Sequence, residues 1–487
     1  MLDNNYIRKE LYEKGINFKM EFQNRKLEDF NNNLSGKKIA IVGIGVSNIP
    51  LLDYFHQFNV ELSIFDKKDE KELSKDLKNK INKYKIRYFG GENNLENLKG
   101  YDIIFRSPSI MPYREELQAE ADRGAIITTE IELVIELAPC KVIGVTGTEG
   151  KTTTTTIIYE IMKKAGYRCF LGGNMGNPIF NQIKDMTPED VVILELSSFQ
   201  LIGMNVSPDI SLVTNVFPDH LNVHRSFEEY KDAKKNIFIH QKENGIVVLN
   251  YDNEITRDFA NYTKNIVKFF SSKQILQNGY FYDTSDGYIK QGQNNEVTNI
   301  MHKSEIQIRG VHNYENICAA LAMTDTLVAR ELQVEAIRSF KGVEHRLEFV
   351  RELNGVKWYN DSIGTSPAST IAGLKAFEEN IILLAGGSEK GLDYTEIGEV
   401  IAEKVGTLIL CGPTSAKIEE ATRKGLERYN KDMEIYYAPN LEEEVKIAYS
   451  KAKEGDVVLL SPASASFDAF KNFDERGKRF KEFVNNL

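Results

Sequence analysis

The stretch Gly144 to Thr156 reads GVTGTEGKTTTTT, and its residue types suit one task, the holding of phosphates. It follows the apolar run Lys141-Val142-Ile143 and precedes Ile157, Ile158, Ile161 and Met162 at helical spacing, which predicts strand, tight glycine loop, helix. Such a loop turns several backbone N–H groups into one concavity at the positive end of a helix. Lys151 adds a mobile positive charge, and Thr152 adds a hydroxyl able to hold Mg²⁺. A nucleoside triphosphate is therefore the expected ligand, on Gly147, Thr148, Glu149, Gly150, Lys151, Thr152 and Thr153. The pattern G-x-x-x-x-G-K-[ST] is not matched, because Val145 stands at its first glycine; the shorter T-G-T-x-G-K-T form is present. The competing reading is a plain glycine turn, but the five threonines 152–156 make a poor helix opening without another use.

Further along, the apolar run Val191–Leu194 reads as a buried strand with Glu195 at its end, where a Mg²⁺-binding carboxylate belongs beside a phosphate loop. The alternative is a surface acid. A glycine-rich turn, Gly172 to Pro178, contains Asn174. The strand Ile210–Val216 runs into Pro218-Asp219-His220, a rare place for one of only seven histidines. Ser226 to Glu229 has the form of a capping box, so a helix starts at Ser226. On that helix Phe227, Tyr230, Lys234, Ile237 and Phe238 share a face, which puts Lys234 on an apolar stripe and Lys235 on the polar side. Snorkelling of the lysine is the ordinary alternative.

These residues need elements to position them. The chain has 487 residues, enough for two to four domains, and 41% hydrophobic with 27% charged residues is a globular composition. A formal net charge of -10 argues against nonspecific nucleic-acid binding. The four cysteines, Cys140, Cys169, Cys318 and Cys411, have no metal or disulfide spacing, which fits a reducing cytoplasm. Neither a signal peptide nor an apolar run approaching 18 residues is visible, so no membrane insertion is expected. Residues 1–36 carry a weak helical pattern and the Asn31–Asn33 cluster, and read as an extension followed by a linker. Lys37 to Phe55 predicts a strand, the turn Gly43-Ile-Gly45 and a helix; a second strand, Val60 to Phe65, ends at Asp66. This is a Rossmann-like start whose third glycine is replaced by Asn48. Strands Tyr101–Phe105 and Ala125–Thr128 follow, the first running into the Ser107 loop. Residues 250–310 alternate in short runs, such as Gly279 to Tyr282 and Glu305 to Arg309, which predicts a small antiparallel extension. Gly310 to Met323 starts a helix with Asn313 and Asn316 near its beginning. His345 and Arg346 sit in the next connector, placed to face a nucleotide. Strands ending near Asp361, Leu384, Leu410 and Leu460 then alternate with helices. The expected architecture is α/β with three domains, 37–139 Rossmann-like, 140–342 P-loop ATPase-like with the antiparallel extension, and 343–487 Rossmann-like.

In order along the chain stand TGTEGKTTT, ELSSFQL, NVFPDHL, GVHNYEN, EHRLE, NDSIGTSP, LAGGSEKGLDY and LLSPASASFDAFKNFDERG. This constellation resembles the Mur ligase family over residues 37 to 487, and its last two segments point to a member that adds D-glutamate. The resemblance implies an ATP-dependent amide ligase that joins D-glutamate to UDP-N-acetylmuramoyl-L-alanine through an acyl phosphate, in the cytoplasm and as a monomer. By the same resemblance Gly45, Val46, Ser47, Asp66 and Ser107 would hold the UDP end of the substrate, and Asn174 would position it near the acyl centre. Asn316 would touch adenine, Asp361 the ribose and Arg346 the phosphates, while Thr365, Lys390, Ser466 and Phe473 would receive D-glutamate. Lys151, Glu195, His220, Lys234 and Asn174 would be catalytic. Of two Mg²⁺ ions, Thr152 and Glu195 would hold one, and His220 with Lys234 as a carbamate would serve the other. One departure is Ile363, where the family often has lysine, which bears on the role carried over to Thr365.

The nearest rival is a sister ligase that adds L-alanine, a diamino acid or folate-linked glutamate; the DNPR-like segment of the diamino-acid enzyme is absent from the sequence. A nucleotide-driven regulator would not need the His220 and Lys234 pair. A nicotinamide dehydrogenase rests on Gly43-Ile-Gly45 alone.

Overall fold

The structure, a computed structural model, describes residues 22–175, 178–220, 223–389 and 391–487. It divides into two compact units. One contains the chain up to Ile143 together with Arg168–Pro208, and the other contains Gly144–Tyr167 together with Asp209–Leu487.

The first unit is built on a parallel sheet ordered Arg87–Gly90, Glu61–Asp66, Lys38–Val42, Ile103–Arg106, Ile126–Thr128. Strand order reverses at Lys38–Val42, so the loops after that strand and after Ile103–Arg106 lie at a topological switch point, where ligands of open α/β sheets gather. Apolar side chains fill the layer beneath, among them Ala40, Val42, Phe65, Ile104 and Leu117. Gly43 has φ 82°, and a Cβ there would come within 2.7 Å of the Ser107 Cβ. Asn48 occupies the place of a third glycine and explains its absence, since its amide donates to Gly43 O at 2.9 Å from a buried position.

The strands Cys169–Gly173 and Val191–Glu195 pair in parallel in the same unit, with Gly173 opposite Glu195. The weak helical pattern near the end of the extension is a helix, Arg25–Asn32, where a linker was expected. Asn24 caps it and also donates to Leu137 O at 2.8 Å, and the Tyr54 hydroxyl donates to Asn31 at 2.5 Å.

In the second unit, Ile210–Val213, Ile246–Asn250, Ile266–Ser271 and Gly279–Asp283 pair in parallel, and Tyr288–Gln293 and Glu296–His302 extend them antiparallel. The expected strand Glu305 to Arg309 is not one; a short 3₁₀ turn, Lys303–Glu305, is followed by irregular chain. The helix Val311–Thr324 is buried along Ile317–Thr324, which its alanines permit, and packs against the helix Lys151–Lys164. A further sheet runs Glu348–Leu353, Val356–Asn360, Val457–Leu460, Ile381–Ala385, Val405–Leu410, Glu434–Tyr437, parallel except for the first pair. Apolar clusters around Leu383 and Trp358 lie on its two faces. Among the described residues no helix is long and apolar enough to cross a membrane.

Candidate active site

The strand Lys141–Thr146 ends in the glycine loop, and the helix Lys151–Lys164 begins after it. Gly147 has φ 150°, and a Cβ there would overlap the Thr214 hydroxyl. Gly150 is left-handed at φ 78°, and its Cβ would lie 2.5 Å from Asn316 Oδ1. The loop is held by its neighbours, since Thr148 N donates to Asn215 O at 2.9 Å and Glu149 N to Asn215 Oδ1 at 2.8 Å. Thr154, Thr155 and Thr156 each donate their hydroxyl to the carbonyl four residues back, at 2.8–2.9 Å. The last three threonines of the run thus satisfy their own hydroxyls in the helix. Among the described residues no side chain caps the helix N-terminus, and Thr152 and Thr153 stand in its first turn. An uncapped N-terminus with Lys151 beside it is an anion site.

Two lysines converge on one carbonyl. Lys151 Nζ donates to Gly147 O at 3.1 Å and Thr148 O at 2.8 Å, and Lys234 Nζ donates to Gly147 O at 2.7 Å. Lys234 is 1% exposed, with its Nζ 4.7 Å from the Tyr230 ring centroid. Burial holds its ammonium well below the usual lysine range, the charge of Lys151 lowers it further, and Asp219 opposes both. Lys235 instead pairs with Asp232 at 2.6 Å. The helix Phe227–Lys235 starts at Ser226, whose hydroxyl accepts from Glu229 N at 3.1 Å. The expected capping box is only half formed, because the Glu229 carboxylate accepts from Arg225 N at 2.8 Å. It also lies 3.5 Å from Nδ1 of His224.

His220 is left-handed at φ 53°, and its half-exposed ring sits 3.4 Å from Asp219 Oδ2. Sequence reasoning missed His224, which is buried edge-on to Tyr230 at 5.3 Å. Burial lowers its imidazole pKa, opposed by Glu229. Its spacing of four from His220 was the available signal. It also missed Thr214 and Asn215, small polar residues at a strand end.

In the first unit, Glu195 is 2% exposed. Its Oε1 accepts from Asn174 Nδ2 at 2.8 Å, and its backbone O accepts from Asn174 N at 2.7 Å. Gly173, at φ 83°, lets the chain lie against that carbonyl. The other carboxylate oxygen, Oε2, is buried and has no hydrogen-bond partner among the described residues. An orphaned carboxylate oxygen fits a cation, and Mg²⁺ commonly takes one or two carboxylates together with substrate phosphates. On the loops of the neighbouring sheet, Gly45 and Val46 are exposed, and Ser47 and Ser107 are half-buried. Asp66 is turned inward, its Oδ2 accepting from Ile44 N at 2.7 Å, so it shapes the glycine loop.

The connector after Gly342 has two left-handed residues, His345 at φ 64° and Leu347 at φ 43°. Arg346 between them is exposed. His345, read with Arg346 as placed to face a nucleotide, is turned inward. It is buried, with Nε2 3.2 Å from Asp474 and Nδ1 2.9 Å from Asn360. Asp361 is also buried, accepting from Leu347 N at 3.2 Å and Ser461 Oγ at 2.6 Å, and burial pushes its carboxyl up to about 6. Asn316 lies against Gly150 and accepts from Thr154 at 3.2 Å. Thr365 N donates to Ile363 O at 2.7 Å, Ser466 is buried, and the Phe473 carbonyl accepts from Ser362 Oγ at 2.7 Å. Lys390 lies outside the described residues. Arg476, which lies in the last quoted segment but was given no role, joins two of these loops by donating to Ser362 O at 2.9 Å and Ser464 O at 3.2 Å.

Comparison with known proteins agrees with this layout. Residues 37–129 match the Mur ligase MurD-like N-terminal domain, residues 145–324 the Mur ligase middle domain, and residues 345–464 the Mur ligase glutamate ligase domain. The UDP-N-acetylmuramoylalanine–D-glutamate ligase of Acetivibrio thermocellus is 48% identical over 95% of this chain and 99% of its own. The ligase of the same name from Ruminiclostridium cellulolyticum is 46% identical over 95% and 100%. Among solved structures, the UDP-N-acetylmuramate-alanine ligase of Thermotoga maritima superposes with a TM-score of 0.56 at 20% identity, covering 92% of this chain and 99% of that one. The MurF ligase of Thermotoga maritima in complex with ADP gives 0.52 at 18% identity, covering 94% and 96%. Those two likenesses establish the fold, a three-domain α/β architecture. With three family domains in order and relatives this similar along nearly its whole length, the chain belongs to the Mur ligase family.

Proposed function

We propose that the chain is an ATP-dependent ligase that forms an amide between D-glutamate and the alanine carboxylate of UDP-N-acetylmuramoyl-L-alanine, a step in peptidoglycan precursor synthesis in the cytoplasm. The observation that carries this is the set of relatives at 43–48% identity over 95% of the chain, each named as a ligase of those two substrates. We assign the UDP end of the substrate to residues 37–139, ATP to 140–342 and D-glutamate to 343–487, working as a monomer.

A carboxylate and a triphosphate repel, so the reaction needs concentrated positive charge. Lys151 and the uncapped helix N-terminus supply it from the protein. Mg²⁺, for which Thr152 and the orphaned Glu195 oxygen are suitable ligands, would neutralise charge on the transferring group. The alanine carboxylate attacks the γ-phosphorus, ADP leaves and an acyl phosphate forms. The D-glutamate amine then attacks the acyl carbon, phosphate leaves and the nitrogen gives up a proton. Asn174 orients the acyl end, Arg346 the phosphates, Asn316 the adenine and Asp361 the ribose. Thr365, Lys390, Ser466 and Phe473 take D-glutamate, whose two carboxylates need a cation and hydroxyl or N–H donors. We assign a second Mg²⁺ to His220 and to Lys234 as its carbamate.

Phosphate release with ATP, UDP-N-acetylmuramoyl-L-alanine and a panel of amino acids tests the reading. D-Glutamate should be the preferred acceptor. Equal or faster turnover with L-alanine, L-lysine or meso-diaminopimelate would overturn it.

A further inference from the structure

Two buried acids stand in the first turn of the helix Glu130–Leu137, and the reaction as written above uses neither. Glu130 is 3% exposed and Glu132 is 6% exposed. A carboxylate that deep is unfavourable unless something specific holds it. Burial pushes the Glu130 carboxyl up to about 7, against the pull of its two amide partners. Those partners are consecutive: Oε1 accepts from Ile179 N at 3.2 Å and Phe180 N at 2.9 Å. Glu132 Oε1 accepts from Asn205 N at 3.0 Å, while Oε2 takes the hydroxyls of Thr128 and Thr129 at 3.3 and 3.4 Å.

The two acids therefore hold the chain on both sides of the strand Val191–Glu195. Ile179 lies five positions after Asn174, whose side chain is bonded to Glu195, and Asn205 lies ten positions after Glu195. Buried Arg106 adds to the second hold by donating to Phe199 O at 3.4 Å and to Ile202 O, and it also reaches Ile110 O at 3.1 Å on the Ser107 loop. The helix bearing both acids is anchored at its far end too, where Asn24 and Lys26 donate to Leu137 O and Ala138 O. A segment clamped at each end by groups this deeply buried has little freedom to shift; partners that hydrogen-bond a site's ligands directly change its performance about 10- to 100-fold when removed, and a support one layer further out falls at the lower end of that range.

We propose that Glu130 and Glu132 are positioning residues of the ligation, a buried clamp that fixes Glu195, and with it the bonded Asn174, by holding the backbone on either side of the strand Val191–Glu195. The proposal rests on the function assigned above, because it is the acyl end of the UDP-linked substrate that Asn174 orients.

At about pH 8, where the wild-type carboxyl, pushed up to about 7, is ionised, Glu130→Gln keeps the shape and one acceptor oxygen but removes the charge from the group that holds two amides. The full-length variant should melt as a folded protein. Its kcat/KM for UDP-N-acetylmuramoyl-L-alanine should fall about tenfold, with the KM for ATP within about twofold of wild type. Hydrogen exchange in a peptide spanning Ile179–Asp185 should be faster in the variant, a readout that needs no turnover. Glu132→Gln should give the same kinetic split, with faster exchange around Asn205, and stands in if the first variant folds poorly. A folded Glu130→Gln protein with wild-type kinetics for all three substrates, or one whose loss follows only the fraction unfolded, would overturn the clamp. Failure of the wild-type enzyme to turn over D-glutamate would instead remove the assigned function, and the exchange measurement would still report on the clamp.

Discussion

Lys234 shows how a single side chain can be read. Its place on an apolar stripe was legible from Phe227, Tyr230, Ile237 and Phe238, and the structure buries it to 1% exposure. The sequence did not reveal that Lys151 and Lys234 share the Gly147 carbonyl, because that contact joins positions 83 residues apart and depends on a left-handed glycine turn. A buried ammonium beside a second ammonium is a strained state, relieved by an anion or by loss of the proton. The neutral amine can attack CO₂, forming an N–C bond and releasing a proton, and the carbamate retains an N–H for Gly147 O. Lys234→Arg keeps the positive charge but cannot form that group, and it should lose on the order of 10²-fold or more in kcat. Lys235→Arg, at a part-buried position whose charge is paired with the exposed Asp232, should match wild type. A fully active Lys234→Arg enzyme would show that the carbamate assignment is wrong.

At the scale of elements, strand–loop–helix signals were the most legible. The strand ends at Val42, Glu195 and Leu460 all lie within a residue or two of where apolar runs stop. Local turn chemistry was less so. Glu229 has the right spacing for a capping box, yet a nearer amide, Arg225 N, takes its carboxylate. Asn48 breaks the glycine pattern while doing the bonding that closes the turn. The phosphate loop gives the sharpest prediction. Gly147 has a backbone angle that side chains rarely adopt, and a Cβ would strike Thr214, whose hydroxyl donates to Glu149 O at 2.5 Å. Gly147→Ala must therefore move either the loop or the strand end beside it, at roughly 1–3 kcal/mol for the backbone alone. ATP binding, followed by calorimetry, should weaken at least tenfold, while Gly166→Ala, at a helix end with open space around it, should leave ATP affinity unchanged. Equal affinities for the two variants would mean that the loop geometry is not what holds the nucleotide.

Over the whole molecule, alternating strands and helices made the α/β architecture readable, whereas the helix Arg25–Asn32 left only a weak helical pattern, part of its seat being the polar contacts of Asn24 and Asn31. Nor could spacing reveal which acids are buried, because burial is a property of the assembled layers. Glu130 is one such acid, and its stability consequence can be signed. Its folded-state pKa, about 7, lies above its ordinary value of 4.5, so between those pH values the folded protein binds more protons than the unfolded chain. That contribution is fully present below pH 4.5 and is lost as pH rises through 7. His224 acts oppositely, its lowered pKa weakening the fold as pH falls below 6.5. The two are separated by comparing Glu130→Gln with wild type, since only the Glu130 contribution differs. The variant should gain on wild type by up to roughly 3 kcal/mol between pH 4.5 and pH 8, seen as a melting difference that moves several degrees in its favour. A pH-independent difference would mean that Glu130 titrates normally in the fold. The expected slope, joined to the kinetic loss foreseen for the same variant, would mark a carboxylate kept against the stability of the fold because of what it holds in place.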